Sequence, residues 1–195
     1  MLDVSVDQRA AARIRQLRAQ RGFSLETLAR RSGVSRSMLS VVERGESSAT
    51  AALLDKVANG LGVTLASLFD APQGAAAPEP LSRRERQHEW KDPSSGYLRR
   101  NVSPSGKDNP VQLVEIEFPP GARVAFDNNA RGFLVRQYVW LLDGRMNVTL
   151  GDETYRLRTG DCLAMKLDRP SMFHNPTKKR ARYAVVLAPP FGASS

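Results

Sequence analysis

Residues 24–45, SLETLARRSGVSRSMLSVVERG, constrain the fold of this chain more tightly than any other stretch. Leu25, Leu28 and Ala29 fall on one helical face and Val34, Met38, Leu39 and Val42 on another, so the spacing predicts two short amphipathic helices. Ser24 and Ser35 stand where a hydroxyl caps a helix N-terminus. Gly33 stands where the first helix must leave the right-handed region. The connection between them is a tight helical corner. Both apolar faces need partners. Ala10, Ala11, Ala12, Ile14 and Leu17 supply a helix upstream, and Leu53, Leu54, Val57, Ala58 and Leu61 supply a fourth that starts near Thr50. Val63, Leu65, Leu68 and Phe69 close a fifth, short one. The expectation is an all-α domain of five helices over residues 6–70.

This domain resembles the phage-repressor-like, or XRE-type, helix-turn-helix family. The resemblance is carried by RIRQLRAQRGFSLETLA at the opening, SGVSRSMLSVVERG in the middle and LGVTLASLF at the close. It implies that the helix over 35–44 lies in the major groove of double-stranded DNA. The contact set so implied is Ser35, Arg36, Ser37, Ser40, Val41 and Arg44. Arg36, Ser37 and Val41 match base-facing positions, Ser40 lies beside them and Arg44 falls near the backbone. Arginine at the start of such a helix can hold guanine through two hydrogen bonds, and valine can touch a thymine methyl. Specificity is therefore expected to rest most on Arg36. The resemblance also implies that Arg18 pairs with Glu43 as scaffold. Leu25 departs from the pattern, since many members carry glutamine there and leucine bonds neither phosphate nor base. Ser24 or Thr27 is left to supply that contact.

Charge alone does not separate DNA binding from a helical protein–protein module. Residues 1–70 hold 10 Lys and Arg against 7 Asp and Glu, a net of +3 within a chain total of +9. Seven arginines between Arg9 and Arg31 are candidates for a local patch that meets phosphate.

At 195 residues, with 41% hydrophobic and 25% charged composition, the chain can support two small domains, each with its own core. It has no long apolar run and a polar N-terminus, so neither a membrane span nor a cleaved signal is expected. A single cysteine, Cys162, excludes an internal disulfide, is expected to be a small buried apolar residue and fits a cytoplasmic setting. The stretch APQGAAAPEP marks a linker, taken as 71–96. Arg83, Arg84 and Arg86 are expected to solvate that linker.

From Tyr97 the pattern changes to short apolar runs and period-two alternation broken by turn residues. Candidate strands are 97–102, 111–118, 137–142, 146–150, 154–158, 162–166, 171–175 and 183–188, which reads as an all-β sandwich or barrel. PPGARVAF, QYVWLLDGRMNVTLGDETYRLRTGD and DRPSMFHNP resemble a cupin, a jelly-roll barrel, here over 97–191. Cupin enzymes hold a divalent metal with a His-x-His pair, a glutamate and a further histidine. The resemblance places Asp127 and Asn129, Gln137 and Ser171 at those positions. No ligand of the expected type is present, so neither metal nor other cofactor is expected. Asp127, Asn129, Gln137 and Ser171, with Arg136 nearby, are the candidate effector pocket. They can bond one another, trapped water or a small molecule, and the nearby arginines favour an anionic one.

If Gln137, Val139 and Leu141 point inward, Tyr138, Trp140 and Leu142 point outward and call for cover, by a second subunit of a homodimer or by the chain itself. The whole reads as a dimeric regulator that binds an inverted-repeat operator and whose barrel senses a metabolite. Two other readings are a cupin enzyme with secondary DNA binding and an antitoxin-like DNA-binding partner protein.

Overall fold

The computed structural model describes residues 6–69, 79–104, 111–128 and 135–188. The N-terminal domain has four α-helices, α1 (Val6–Gln20), α2 (Leu25–Ser32), α3 (Arg36–Arg44) and α4 (Ala51–Leu61), followed by a single 3-10 turn, Ala66–Phe69. The expected fifth helix is thus corrected to a 3-10 turn. Four residues allow i→i+3 bonds but little of an α-helical ladder, and the Thr64 hydroxyl caps the turn by accepting from Ser67 N at 3.2 Å.

The other caps fall where the sequence places them. Ser24 accepts from Thr27 N, Ser35 from Met38 N and Thr50 from Leu53 N, and Gly33 takes φ 66° at the corner. Ile14, Leu28, Leu39, Val57 and Leu68 are fully buried at the centre of the domain. Where α2 crosses α4, a Cβ at Gly60 would stand 2.8 Å from Ser32 Cβ, so only glycine permits this approach. Met38 departs from its expected packing role. It is 42% exposed, because the face of α3 that turns inward is Leu39, Val42 and Glu43.

The C-terminal domain has ten strands: β1 (Glu89–Lys91), β2 (Leu98–Asn101), β3 (Gln112–Phe118), β4 (Arg123–Phe126), β5 (Arg136–Asp143), β6 (Arg145–Leu150), β7 (Glu153–Arg158), β8 (Cys162–Lys166), β9 (Ser171–His174) and β10 (Ala181–Ala188). They form a six-stranded sheet, β1-β2-β3-β10-β5-β8, and a four-stranded sheet, β4-β9-β6-β7, with every pairing antiparallel. The first sheet starts at Glu89, inside the stretch assigned to the linker. A three-residue strand is too short to show alternation, and only buried Trp90 marks it. The proline-rich residues 70–78 lie outside the described residues.

Val185 pairs with Val114 and Val139 across the first sheet, and Phe173 with Val124 and Val148 across the second. These rows face each other as the barrel core. On the outer face of β5, Tyr138 and Trp140 are 37% and 49% exposed, so the described residues leave them partly uncovered. Cys162 pairs with Trp140 from edge strand β8 and is exposed, which corrects its expected burial. Among the described residues no helix is long and apolar enough to cross a membrane.

The two domains are joined by a specific junction. Ala51 N, an orphan amide at the start of α4, donates to Asp92 Oδ1 at 2.8 Å, and Trp90 Nε1 donates to Asp7 Oδ1 at 3.1 Å. Thr64 Oγ1 donates to Gln112 Oε1 at 2.5 Å, while Gln112 Nε2 donates to Ser67 Oγ at 3.1 Å. A continuous run of aromatic contacts, Phe69–Trp90–Tyr97–Phe118–Tyr183–Phe173, leads from the 3-10 turn into the barrel with centroids 5.3–6.1 Å apart.

Candidate DNA-reading face and barrel cavity

Helix α3 is fixed from below and open above. Glu43 is 5% exposed and receives both Arg18 Nε at 2.6 Å and Arg18 Nη2 at 2.9 Å, a two-pronged pair that also raises the Arg18 pKa. Arg18 Nη1 donates on to Phe23 O at 2.9 Å, so this side chain is committed to scaffold. On the opposite face Ser35, Arg36, Ser37 and Arg44 are exposed, with Ser40 and Val41 half-buried. The Ser35 hydroxyl accepts from Met38 N at 3.2 Å and lies 3.2 Å from Ser37 Oγ. Arg44 donates to Ser40 and, at 2.6 Å, to Glu46. Arg44 therefore starts from an internal ion pair that DNA would have to displace.

Most of the anticipated arginine patch has structural work instead. Arg13 Nη1 donates to Gln16 Oε1, Arg21 Nη1 to Leu17 O and Arg31 Nε to Gly60 O. Arg9 Nη1 lies 2.8 Å from His88 Nδ1. Arg15, Arg30 and Arg36 remain exposed. Leu25 packs half-buried on the core, and the Ser24 and Thr27 hydroxyls sit 3.0 Å from each other at the cap of α2.

The second candidate is a cavity of about 60 Å³ inside the barrel. One water needs ~10–15 Å³ by this measure, so there is room for several waters or a compact molecule. Gln137 and Ser171 line it, with Asn128 beside them: Asn128 Nδ2 donates to Ser171 Oγ at 3.0 Å and to Arg169 O at 2.9 Å. Among the described residues Gln137 Nε2 donates to the Met165 sulfur, at 3.7 Å, a weak acceptor. Two expected residues are not brought here. Asp127 is exposed because Val124, Phe126 and Asn128 are the alternate positions that turn inward. Arg136 is exposed because β5 buries Gln137, Val139 and Leu141. Asn129 lies outside the described residues.

The cavity is roofed by the N-terminal domain, since Asp55 of α4, Thr64 and Leu65 form part of its wall. Opposite them stands Arg99 of β2, 7% exposed, with no hydrogen-bond partner among the described residues for Nε and Nη2. Burial pushes its pKa down, opposed by Tyr97, Tyr183 and more distantly Asp55, and burial likewise raises both tyrosines. Arginine nevertheless stays charged.

Comparisons with known proteins agree on both halves. A helix-turn-helix model matches residues 14–68 and a cupin-domain model matches residues 114–187. The HTH-type transcriptional regulator SutR of Escherichia coli (strain K12) is 28% identical over 162 residues, 83% of this chain and 84% of that protein. The HTH-type transcriptional regulator PuuR of the same organism is 22% identical over 163 residues, 84% and 85%. The crystal structure of an HTH_3 family transcriptional regulator from Vibrio cholerae superposes with TM-score 0.77 at 27% identity, over 96% of this chain and 98% of that one. This chain belongs to the XRE-type helix-turn-helix transcriptional regulators that carry a cupin domain.

The cupin resemblance raises the question of a metal, and this cupin cavity does not fit one. Its polar lining of Thr64, Tyr97, Asn128, Gln137, Ser171 and Tyr183 is neutral, Arg99 adds a cation, and among the described residues Asp55 is its one carboxylate. Among the described residues no three His, Cys, Asp or Glu side chains gather. His174 pairs with Arg123 across β9 and β4, where desolvation and that arginine lower its pKa, and His88 sits at the domain junction. Such a set lacks the imidazoles and carboxylates that hold a divalent transition metal.

Sequence reasoning missed Arg99, Tyr97 and Asp55 as cavity residues. Arg99 alone carried a signal, as an arginine at an inward position of a strand, but its strand is four residues long and Arg100 beside it is buried as well.

Proposed function

We propose that this chain is a cytoplasmic, sequence-specific DNA-binding transcriptional regulator whose cupin domain senses a small metabolite without a metal and performs no catalysis. The observation that carries the reading is that one domain does two things: it exposes α3 on one side and, through α4, closes the barrel cavity on another. A molecule that fills the cavity differently in two arrangements of α4 shifts the population that can hold DNA.

In this reading Arg36 reads a base edge, Ser35, Ser37 and Ser40 contact phosphate or base, Val41 touches a thymine methyl and Arg44 reaches backbone after leaving Glu46. Gln137, Ser171 and Asn128 orient the effector. Two copies joined through the Tyr138 and Trp140 face place their α3 helices on an inverted repeat. The uncovered aromatics support that joint. Tyr138→Glu together with Trp140→Glu then converts dimer to monomer in sedimentation equilibrium.

Genomic DNA selection with the purified full chain tests the reading. A recovered inverted repeat, lost with Arg36→Ala, is the expected result. Uniform, salt-labile binding to all sequences would overturn it.

A further inference from the structure

We infer that the barrel cavity is a site for a compact carboxylate, its acid group held by Arg99 beneath the helix-turn-helix domain. This rests on the sensing role proposed above and names the ligand class for that same cavity. Adjacent arginines on β2 make the argument. Arg100 meets Glu115 directly and Glu89 at 3.8 Å, so its charge is answered within the protein. Arg99 faces the other way, into the cavity, and Nε and Nη2 have no partner among the described residues.

A guanidinium removed from water requires an opposite charge or hydrogen bonds in exchange. Asp55 shares the cavity wall, accepts from Asn59 Nδ2 at 3.1 Å and favours the Arg99 charge less than Tyr97 and Tyr183 do, while the Phe69 ring lies under the guanidinium at 6.0 Å; none of these occupies Nε or Nη2. The unpartnered Nε–H and Nη2–H lie parallel on one buried edge of the guanidinium beside the cavity, the geometry that a carboxylate accepts in bidentate fashion. Ile116, Val124, Phe173 and Leu187 give the space an apolar wall, and the Gln137 amide stands with Asn128 and Ser171 as its neutral polar side. That lining suits an acid with a short hydrocarbon body and one further polar group. Because Asp55, Thr64 and Leu65 belong to the DNA-binding domain, the bound acid touches that domain without an intermediary.

The probes are sodium propionate, propionamide and propylamine, which share a shape and differ in charge, added to the full chain at matched ionic strength. Thermal shift and calorimetry are expected to give saturable binding of propionate, at least about tenfold weaker binding of the amide and amine, and a similar loss in Arg99→Met. NMR of the Arg99 Nε–H on wild-type protein should show a shift with propionate and none with propionamide, which decides the matter even if Arg99→Met fails to fold. Equal binding of acid and amide, propionate binding that ignores Arg99→Met, no propionate binding, or a silent Nε–H overturns the proposal. A neutral or cationic cavity ligand indifferent to Arg99 would overturn the carboxylate assignment and leave the sensing role standing. DNA affinity unchanged by filling the cavity with Ser171→Leu would overturn the sensing role itself.

Discussion

The two domains withdraw arginine from water in opposite ways. At the base of the reading helix, Arg18 finds both oxygens of Glu43 and a backbone carbonyl. In the barrel, Arg99 is more deeply buried, and two of its nitrogens find nothing among the described residues. A buried charge completed within the chain fixes structure. One left incomplete sits where a ligand can complete it.

The largest effect expected from this contrast is at Glu43. Glu43→Ala strands Arg18, and urea unfolding should show a loss of about 2–3 kcal/mol. That is below the 3–5 typical of fully buried pairs because water still reaches part of Arg18. Next is Arg36→Ala on the exposed face of the same helix. It should leave stability within ~0.5 kcal/mol and reduce discrimination at one base position by about 1–3 kcal/mol in competition binding. Ser35→Ala removes the acceptor for Met38 N and should lower stability by about 1 kcal/mol in the same unfolding assay. Smallest, and opposite in sign, is ligand-free Arg99→Met. A hydrophobe in place of a guanidinium with two unpartnered nitrogens should leave stability unchanged or raise it by about 1 kcal/mol. If Arg99→Met cost as much as Glu43→Ala, the contrast would fail, since Arg99 would then be structural too.

How much of this was legible in the sequence follows from the range of the interactions involved. The caps at Ser24, Ser35 and Thr50, the corner at Gly33 and the inward set Gln137, Val139 and Leu141 are local, and spacing alone fixes them. The Arg18–Glu43 pair spans 25 residues and was accessible through family resemblance. The cavity was only half legible. The spacing carried over from the cupin resemblance fell one position off, so Asp127 was expected where Asn128 stands, and β1 was too short to register. Arg136 was placed by proximity in the chain, although alternation sends it outward. The roof could not be read at all. That Asp55 of α4 and Arg99 of β2 wall the same cavity depends on how two domains dock, through Ala51 with Asp92 and Trp90 with Asp7, and no periodicity encodes it.

The central claim is that the reading helix and the cavity belong to one coupled unit. Linkage makes coupling reciprocal, so DNA binding must alter the cavity even without a ligand. Hydrogen exchange of the full chain, free and bound to a selected operator, measures this directly. The account predicts changed protection at the Ala51 amide and along β2 as well as in α3. Protection confined to α2 and α3, with Ala51 and β2 unmoved, would contradict it.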